Sequence, residues 1–383
     1  MTIGRERVAI EGKAERPARR VDLDRLRIFA CLSTFCYHAI QIFDLNPYYH
    51  VRSHTLSPAL DAVGRLLHAV RMPLFFLIAG MVGYLALQRY TNREFMRQRA
   101  LRLLVPFAFG IVLVTPWVKY FELLDGRHIE WRGVIHLGVA MPDPLTFLRR
   151  YFTQIRWFSW SHMWFPLYLF LLGLLLLPLM RAMPRMTSDP PPAAALGLPL
   201  AACIAIEIAL RPLFPHHIPN LIADWASMAT YTVMLLAGAA LIRWPVLEQA
   251  LQRGLPVTAL AAAFGAALYL GAAEGPLKGI GRAMTLWGTL CAAIGLGPWI
   301  GRGRIPAERY MAEAVLPVYV LHHVPLLLIA TQVKDLPWPI WQRYATIVLG
   351  AFAITLAFYH VVVRPVGALR IALGLSRLAR KDD

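Results

Sequence analysis

Charge is what this sequence has least of. Only 16% of its 383 residues are Asp, Glu, Lys or Arg, while 58% are hydrophobic. Ordinary globular domains carry about 25% charged residues. The deficit runs along most of the chain, which argues against a soluble domain with one anchor and for a polytopic membrane protein. Acidic residues are scarcer than basic ones, 22 against 39, for a formal charge of +17. That excess does not point to nucleic acid, because no zinc-ligand spacing or basic–aromatic RNA motif accompanies it. The basic residues cluster instead at the ends of apolar runs, where membrane topology explains them. Cysteine is also sparse. Cys31, Cys36, Cys203 and Cys291 all fall within apolar runs and read as small apolar fillers rather than disulfide partners. No cleavable signal peptide is visible, since the first residues are polar and basic and the first apolar run is long enough to span.

What is present in abundance is apolar runs of roughly 18 to 22 residues, the length that crosses about 30 Å of hydrocarbon. Punctuation by Pro, Gly and charge divides them into ten expected spans, near 25–44, 72–90, 103–119, 162–181, 195–211, 224–243, 256–273, 282–300, 311–332 and 343–364. The expected fold is therefore an all-α polytopic membrane protein of about ten transmembrane helices. The segment 57–70 reads as an amphipathic or re-entrant helix leading into the second span. The basic tail 1–24, the arginines after the second span and the C-terminal tail 365–383 put both termini in the cytoplasm by the positive-inside rule. The membrane domain covers 25–364. It carries an extracytoplasmic polar loop at 120–161, basic despite its side, and a proline-rich cytoplasmic linker at 182–194. No sequence repeat relates the two halves, which weighs against a transporter.

Ionisable side chains at membrane depth are costly and are functional candidates by default. Within the spans these are His38, Glu207, Glu313, His322, His323 and His360. Arg27 and His38 are eleven residues apart, about three helical turns, so they share a face some 16 Å apart along the axis and cannot touch. That suits the two ends of one elongated ligand. It equally suits a headgroup anchor plus a histidine bonded to a neighbouring helix. Arg99 and Arg102, at i and i+3, serve either as topological anchors or as a phosphate clamp, since guanidinium forks match phosphate oxygens. Arg71 stands at the outer end of the second span, against the charge bias. Gly80 and Gly83 beside it permit close helix packing. His162 and Trp164 open the fourth span, where a tryptophan alone is expected at the interface. Tyr319 and His322 face together, His323 points about 100° away, and one histidine of the pair can satisfy carbonyls freed by Pro325.

Taken in order, these pieces resemble the type-3 membrane acyltransferase family. "R-IFACLSTFCY-H" matches its first-span signature of Arg, ten residues and His, here Arg27 and His38, after an "LDRLR" run-in. "MPLFFLIAGM" is similar to its "FFxxSG" element, with Ala79 where Ser is common. "RALRLLVP" resembles its R-x-x-R before an apolar run and Pro, giving Arg99, Arg102 and Pro106. "HMWFPLYL" and "PVYVLHHVP" resemble its "HLWFL" and "YLLH" elements, the latter placing His322 on the motif histidine. The "MPLFF" wording and the short chain look most like the branch that succinylates periplasmic glucans.

The resemblance implies a multi-pass enzyme of the bacterial cytoplasmic (inner) membrane. It would carry an acetyl or succinyl group from cytoplasmic acyl-CoA to a hydroxyl of an extracytoplasmic carbohydrate, with the lipid bilayer as its medium and no nucleic acid. His38 would act as general base or as a covalent acyl relay. Arg27, Arg99 and Arg102 would hold the CoA phosphates. Tyr319, His322 or Arg71 would stabilise the oxyanion. Arg71, His162, Trp164 and His323 would contact substrate, and the basic outer loop would gather the acceptor. No metal is implied. Two rivals stand beside this reading. One is a proton-coupled transporter or flippase that uses the same histidines. The other is a non-catalytic member that binds a partner.

Overall fold

The computed structural model describes residues 20–130, 133–136, 143–183, 191–215 and 219–377. Most of the N-terminal tail, most of the proline-rich linker and the last six residues lie outside these. In lipid every backbone N–H and C=O must be satisfied within the chain, so apolar runs of this length fold as helices. The helices are α1 Val21–Ile40, α2 Pro58–Leu87, α3 Asn92–Leu113, α4 Thr115–Leu124, α5 Pro144–Thr153, α6 Trp164–Leu175, α7 Leu177–Ala182 and α8 Gly197–Ala205. They continue with α9 Trp225–Arg243, α10 Pro245–Arg253, α11 Leu255–Gly271, α12 Pro276–Gly295, α13 Gly297–Ile300, α14 Glu308–Leu321, α15 His323–Val333, α16 Ile340–Phe358 and α17 Gly367–Ala372. A two-stranded antiparallel hairpin, β1 Arg127–Glu130 with β2 Gly133–His136, follows α4.

Among the described residues five helical runs are long and apolar enough to cross a membrane, or seven if two bent pairs each count once. The chain is thus a multi-pass, largely helical membrane protein. The bent pairs are α10 with α11, at 74°, and α14 with α15, at 59°. Pro325 lies in the first turn of α15 and has no N–H to return to Leu321, so that carbonyl at the second bend lacks its helical donor.

Two sequence expectations change. The segment 57–70 is not a separate re-entrant helix. It is the first half of α2, a continuous 30-residue helix with Ser57 as N-cap and Pro58 at its first position. At 1.5 Å per residue it is about 45 Å long. In sequence, Arg71 and Pro73 look like boundaries, which is why a break before Met72 is expected. Arg71 is instead buried at 6% exposure with its guanidinium 3.9 Å from the centre of the Tyr37 ring, a cation–π contact that offsets its desolvation. The 120–161 stretch is also less of a free polar loop than expected. α4 runs to Leu124 because Lys119 and Glu122, one turn apart and both buried, pair with each other. Arg127 is buried too, its guanidinium donating to the carbonyls of Pro47 and Tyr49. Of the basic residues expected to recruit an acceptor there, Lys119 and Arg127 are therefore structural. Arg149 and Arg150 are exposed, and Arg132 lies outside the described residues.

Helices α2 and α9 cross at close range. A Cβ on Gly80 would meet the Leu235 carbonyl oxygen at 2.0 Å, and one on Gly238 would meet that of Leu77 at 2.0 Å. Only glycine lets these two backbones approach so closely. Gly83 serves a different contact. Its missing side chain leaves room for the Arg99 guanidinium, 2.6 Å from where a Cβ would stand.

Candidate active site

A cavity of about 720 Å³ opens among α1, α2, α9, α12, the 44–57 loop and the start of α6. Its lining includes His38, Gln41, Tyr49, His50, Arg71, Glu122, Ser161, His162 and His323. It also includes Trp164 and Tyr231, whose rings stack at 5.6 Å with 20° between planes.

His38 lies in the last turn of α1. Its Nδ1–H donates to Gln41 Oε1 at 2.9 Å, one turn on. The lone pair is therefore on Nε2, towards which Arg71 Nη1 donates at 3.5 Å. Among the described residues Arg71 has no carboxylate partner, and its Nε is buried without an acceptor. A buried guanidinium with only rings and a histidine around it has unused capacity for negative charge.

His322 and His323 sit at the bend between α14 and α15. His322 Nδ1 donates back to the Tyr319 carbonyl at 2.7 Å, which caps the broken turn. His323 points into the cavity. Its Nε2 accepts from the Tyr49 hydroxyl at 3.0 Å, and its Nδ1–H donates to His162 Nδ1 at 3.1 Å. His162 Nε2–H in turn donates to the Val320 carbonyl at 2.9 Å, a second carbonyl at the bend. Because a carbonyl can only accept, the whole Tyr49–His323–His162 chain has one proton order. Tyr319, expected from sequence to be an oxyanion donor, gives its hydroxyl proton to the backbone carbonyl of His162. Neither Tyr319 nor His322 lines the cavity.

The His50 end of the cavity is braced from α4 and the hairpin. His50 Nδ1–H donates to Glu122 Oε2 at 2.5 Å. Glu122 is 1% exposed, and its other oxygen accepts from Lys119 and from the Ile129 N–H at 2.8 Å. The loop is tied down again where the Arg52 N–H donates to Asp125 at 3.0 Å. Burial holds the Asp125 carboxyl above its ordinary value, opposed by that N–H and by Lys334. At the far end Glu207 accepts from Arg211 at 3.0 Å and Arg282 at 3.2 Å. Glu207 stands on a π-helical turn, Ile206–Leu210, a local widening often found at functional positions.

One ring nitrogen each from His38, His322 and His323 lie within 4.8 Å of one another. A cation there would need free lone pairs. Both nitrogens of His323 are engaged, and Arg71 places positive charge beside His38 Nε2. His322 Nε2, by contrast, is buried without a hydrogen-bond partner among the described residues.

The predicted arginines form a second cluster. Arg27 pairs with Asp24 at 3.6 Å. Arg99 Nη2 donates to the Ala79 carbonyl at 3.2 Å and lies over Phe95. Arg102 is exposed and close enough to both for its charge to be felt. None of the three lines the His38 cavity. Glu313 is elsewhere again, paired with Arg370 of α17 at 2.8 Å, and His360 is on the outer surface. Sequence reasoning does not single out Gln41, Tyr49, His50, Glu122, Ser161, Arg211 or Arg282. They come from separate segments with no spacing in common.

A model of the acyltransferase family 3 domain matches residues 20–360. Over 179 residues the chain is 28% identical to glucans biosynthesis protein C of Salmonella gallinarum, covering 46% of this chain and 43% of that one. Over 155 residues it is 28% identical to glucans biosynthesis protein C of Escherichia coli K12, covering 40% and 37%. These matches span less than half the length of the curated relatives. With the family domain covering nearly the whole helical bundle, the chain belongs to acyltransferase family 3, a family of multi-pass membrane proteins.

Proposed function

We propose that this protein is an acyl-CoA-dependent O-acyltransferase of the bacterial cytoplasmic membrane, with ten spans and both termini in the cytoplasm. It transfers an acetyl or succinyl group to a hydroxyl of an extracytoplasmic glycan. The observation that carries the reading is the bonding of His38: Nδ1 held by Gln41, Nε2 bearing the lone pair, and the Arg71 guanidinium 3.5 Å from it. A general base must present a free lone pair at the reacting hydroxyl. An acyl transfer also needs a positive donor where the carbonyl oxygen becomes charged. His38 and Arg71 supply both in one cavity.

In this mechanism His38 Nε2 takes the acceptor proton while Arg71 stabilises the tetrahedral oxyanion. Arg27, Arg99 and Arg102 meet the donor phosphates at the other end of α1, about three turns away. His323 and His162, with their proton order fixed, wall the reacting end without competing as acids. Trp164 and Tyr231 offer the flat apolar faces that sugar rings pack against. The glucan acceptor is supported by the two relatives, which are named for glucan biosynthesis.

The test is mass spectrometry of envelope glycans from cells with the wild-type chain and with His38→Ala. Loss of the acyl mark while the variant still inserts is the expected result. An unchanged mark would remove His38 from the mechanism.

A further inference from the structure

We propose that Ser161 is an acyl-carrying nucleophile, activated by His50 and Glu122, so that transfer runs through an acyl-enzyme. Three observations lead there. Ser161 Oγ is 3.2 Å from His50 Nε2, and His50 Nδ1 is 2.5 Å from Glu122 Oε2. Hydroxyl, imidazole and buried carboxylate thus stand in the order and contacts that activate serine in acyl-transfer enzymes of unrelated folds. All three line the cavity that holds His38. Third, Ser161 has φ of 44°, a left-handed conformation that a serine rarely adopts and that persists only where surroundings enforce it.

The enforcement is visible. Tyr151 donates its hydroxyl proton to the Ser159 carbonyl at 2.7 Å, Trp160 Nε1 donates to the Pro219 carbonyl at 2.8 Å, and the Ser161 N–H donates to Ser159 Oγ at 3.2 Å. The short turn Ser161–Met163 then enters α6. A strained serine opening a helix presents its hydroxyl outward, as in the nucleophile turn of α/β-hydrolases. Glu122 is held by Lys119 and the Ile129 N–H, so it orients His50 and does not wander. Packing alone does not call for this histidine–serine contact, since neither side chain fills a core.

The chemistry closes with two bases. In the first half-reaction Ser161 Oγ attacks the thioester carbonyl and His50 Nε2 takes the hydroxyl proton. The C–S bond breaks and the thiolate leaves. In the second, the acceptor oxygen attacks the seryl ester while His38 Nε2 takes its proton. The C–Oγ bond breaks, and His50 returns its proton to Oγ. His38 then releases its proton to solvent, so the sum is one acyl ester, one thiolate and one proton. Both bases flank His323, with ring centres at 4.6 Å for His38 and 5.3 Å for His50. One acyl group on Ser161 is therefore within the same small space as the acceptor base.

This inference rests on the acyl-transfer reading for the group carried but not for the reactivity of Ser161. The full chain in detergent is treated with a fluorophosphonate probe, and labelled peptides are mapped. Expected are labelling at Ser161, its loss in Ser161→Gly and a tenfold or greater slowing in His50→Gln. Separately, His38→Ala is incubated with radiolabelled acetyl-CoA and with succinyl-CoA, without acceptor. One acyl group per chain on Ser161, removed by hydroxylamine, is expected. No probe labelling of a chain that still transfers acyl groups overturns the proposal, as does wild-type transfer by Ser161→Gly. Probe labelling without an adduct from either thioester leaves the nucleophile standing and overturns the acyl-CoA donor instead.

Discussion

His322 and His323 are adjacent in sequence and opposite in role. His322 turns back onto its own helix to cap a carbonyl, while His323 enters the cavity and orders a chain of proton donors. Removing a general base typically costs 10²- to 10⁴-fold in rate, so His38→Ala should lower transfer by about that factor with little change in donor affinity, as steady-state kinetics would show. Arg71→Lys keeps the charge but loses the planar fork. Loss of one oxyanion donor costs roughly 10²–10³, and this variant should fall towards that range in kcat. If both variants transfer at the wild-type rate, the His38–Arg71 pair is structural. Ser161→Gly relieves a left-handed serine, a strain of order 1–3 kcal/mol offset in part by glycine entropy. Its melting temperature should match or exceed wild type even as activity is lost. A lower one would mean that the hydroxyl is a structural tie.

At the scale of elements, the site exists because helices break and cross where they do. Two carbonyls at the α14–α15 bend accept from His322 and His162, and of these two rings only His162 lines the cavity. The two crossing helices, α2 and α9, supply Arg71 and Tyr231 to the cavity lining. Gly80→Val would drive a branched side chain into the Leu235 carbonyl. Overpacking costs typically about 1–3 kcal/mol, so the solubilised variant should melt several degrees lower. Gly173→Ala on α6 makes the contrast, because a Cβ there meets nothing within 4 Å and alanine favours helix by about 0.5–1 kcal/mol. Equal melting of the two variants would show that the crossing is looser than its glycines imply.

Across the whole molecule, the charges separate into two sets. Arg27, Arg99 and Arg102 form one cluster, and the histidine cavity is another, joined by α1 and by the Arg99 contact to the Ala79 carbonyl. Between them on the same face of α1 lie Cys31 and Thr34, both buried. On the proposed reading CoA is expected to raise the melting temperature of the wild type, and Arg99→Ala combined with Arg102→Ala should abolish that rise. The same stabilisation in the double variant would leave those arginines to topology alone.

Sequence alone determined the class of molecule. Apolar runs in lipid have one local solution, the helix, because no water is there to satisfy the backbone. That made the multi-pass fold legible, and six short motifs in order made the family legible. Arg27 and His38 were readable as a pair because both ride one helix with a fixed 3.6-residue turn. Which histidine faces the cavity, that 57–70 belongs to α2, and that Ser161, His50 and Glu122 meet were decided only by tertiary structure. Those residues sit on three segments more than 30 positions apart, and their meeting depends on bends, crossings and a braced loop. No local spacing encodes such geometry, because it arises from packing between elements rather than from the period of any one of them.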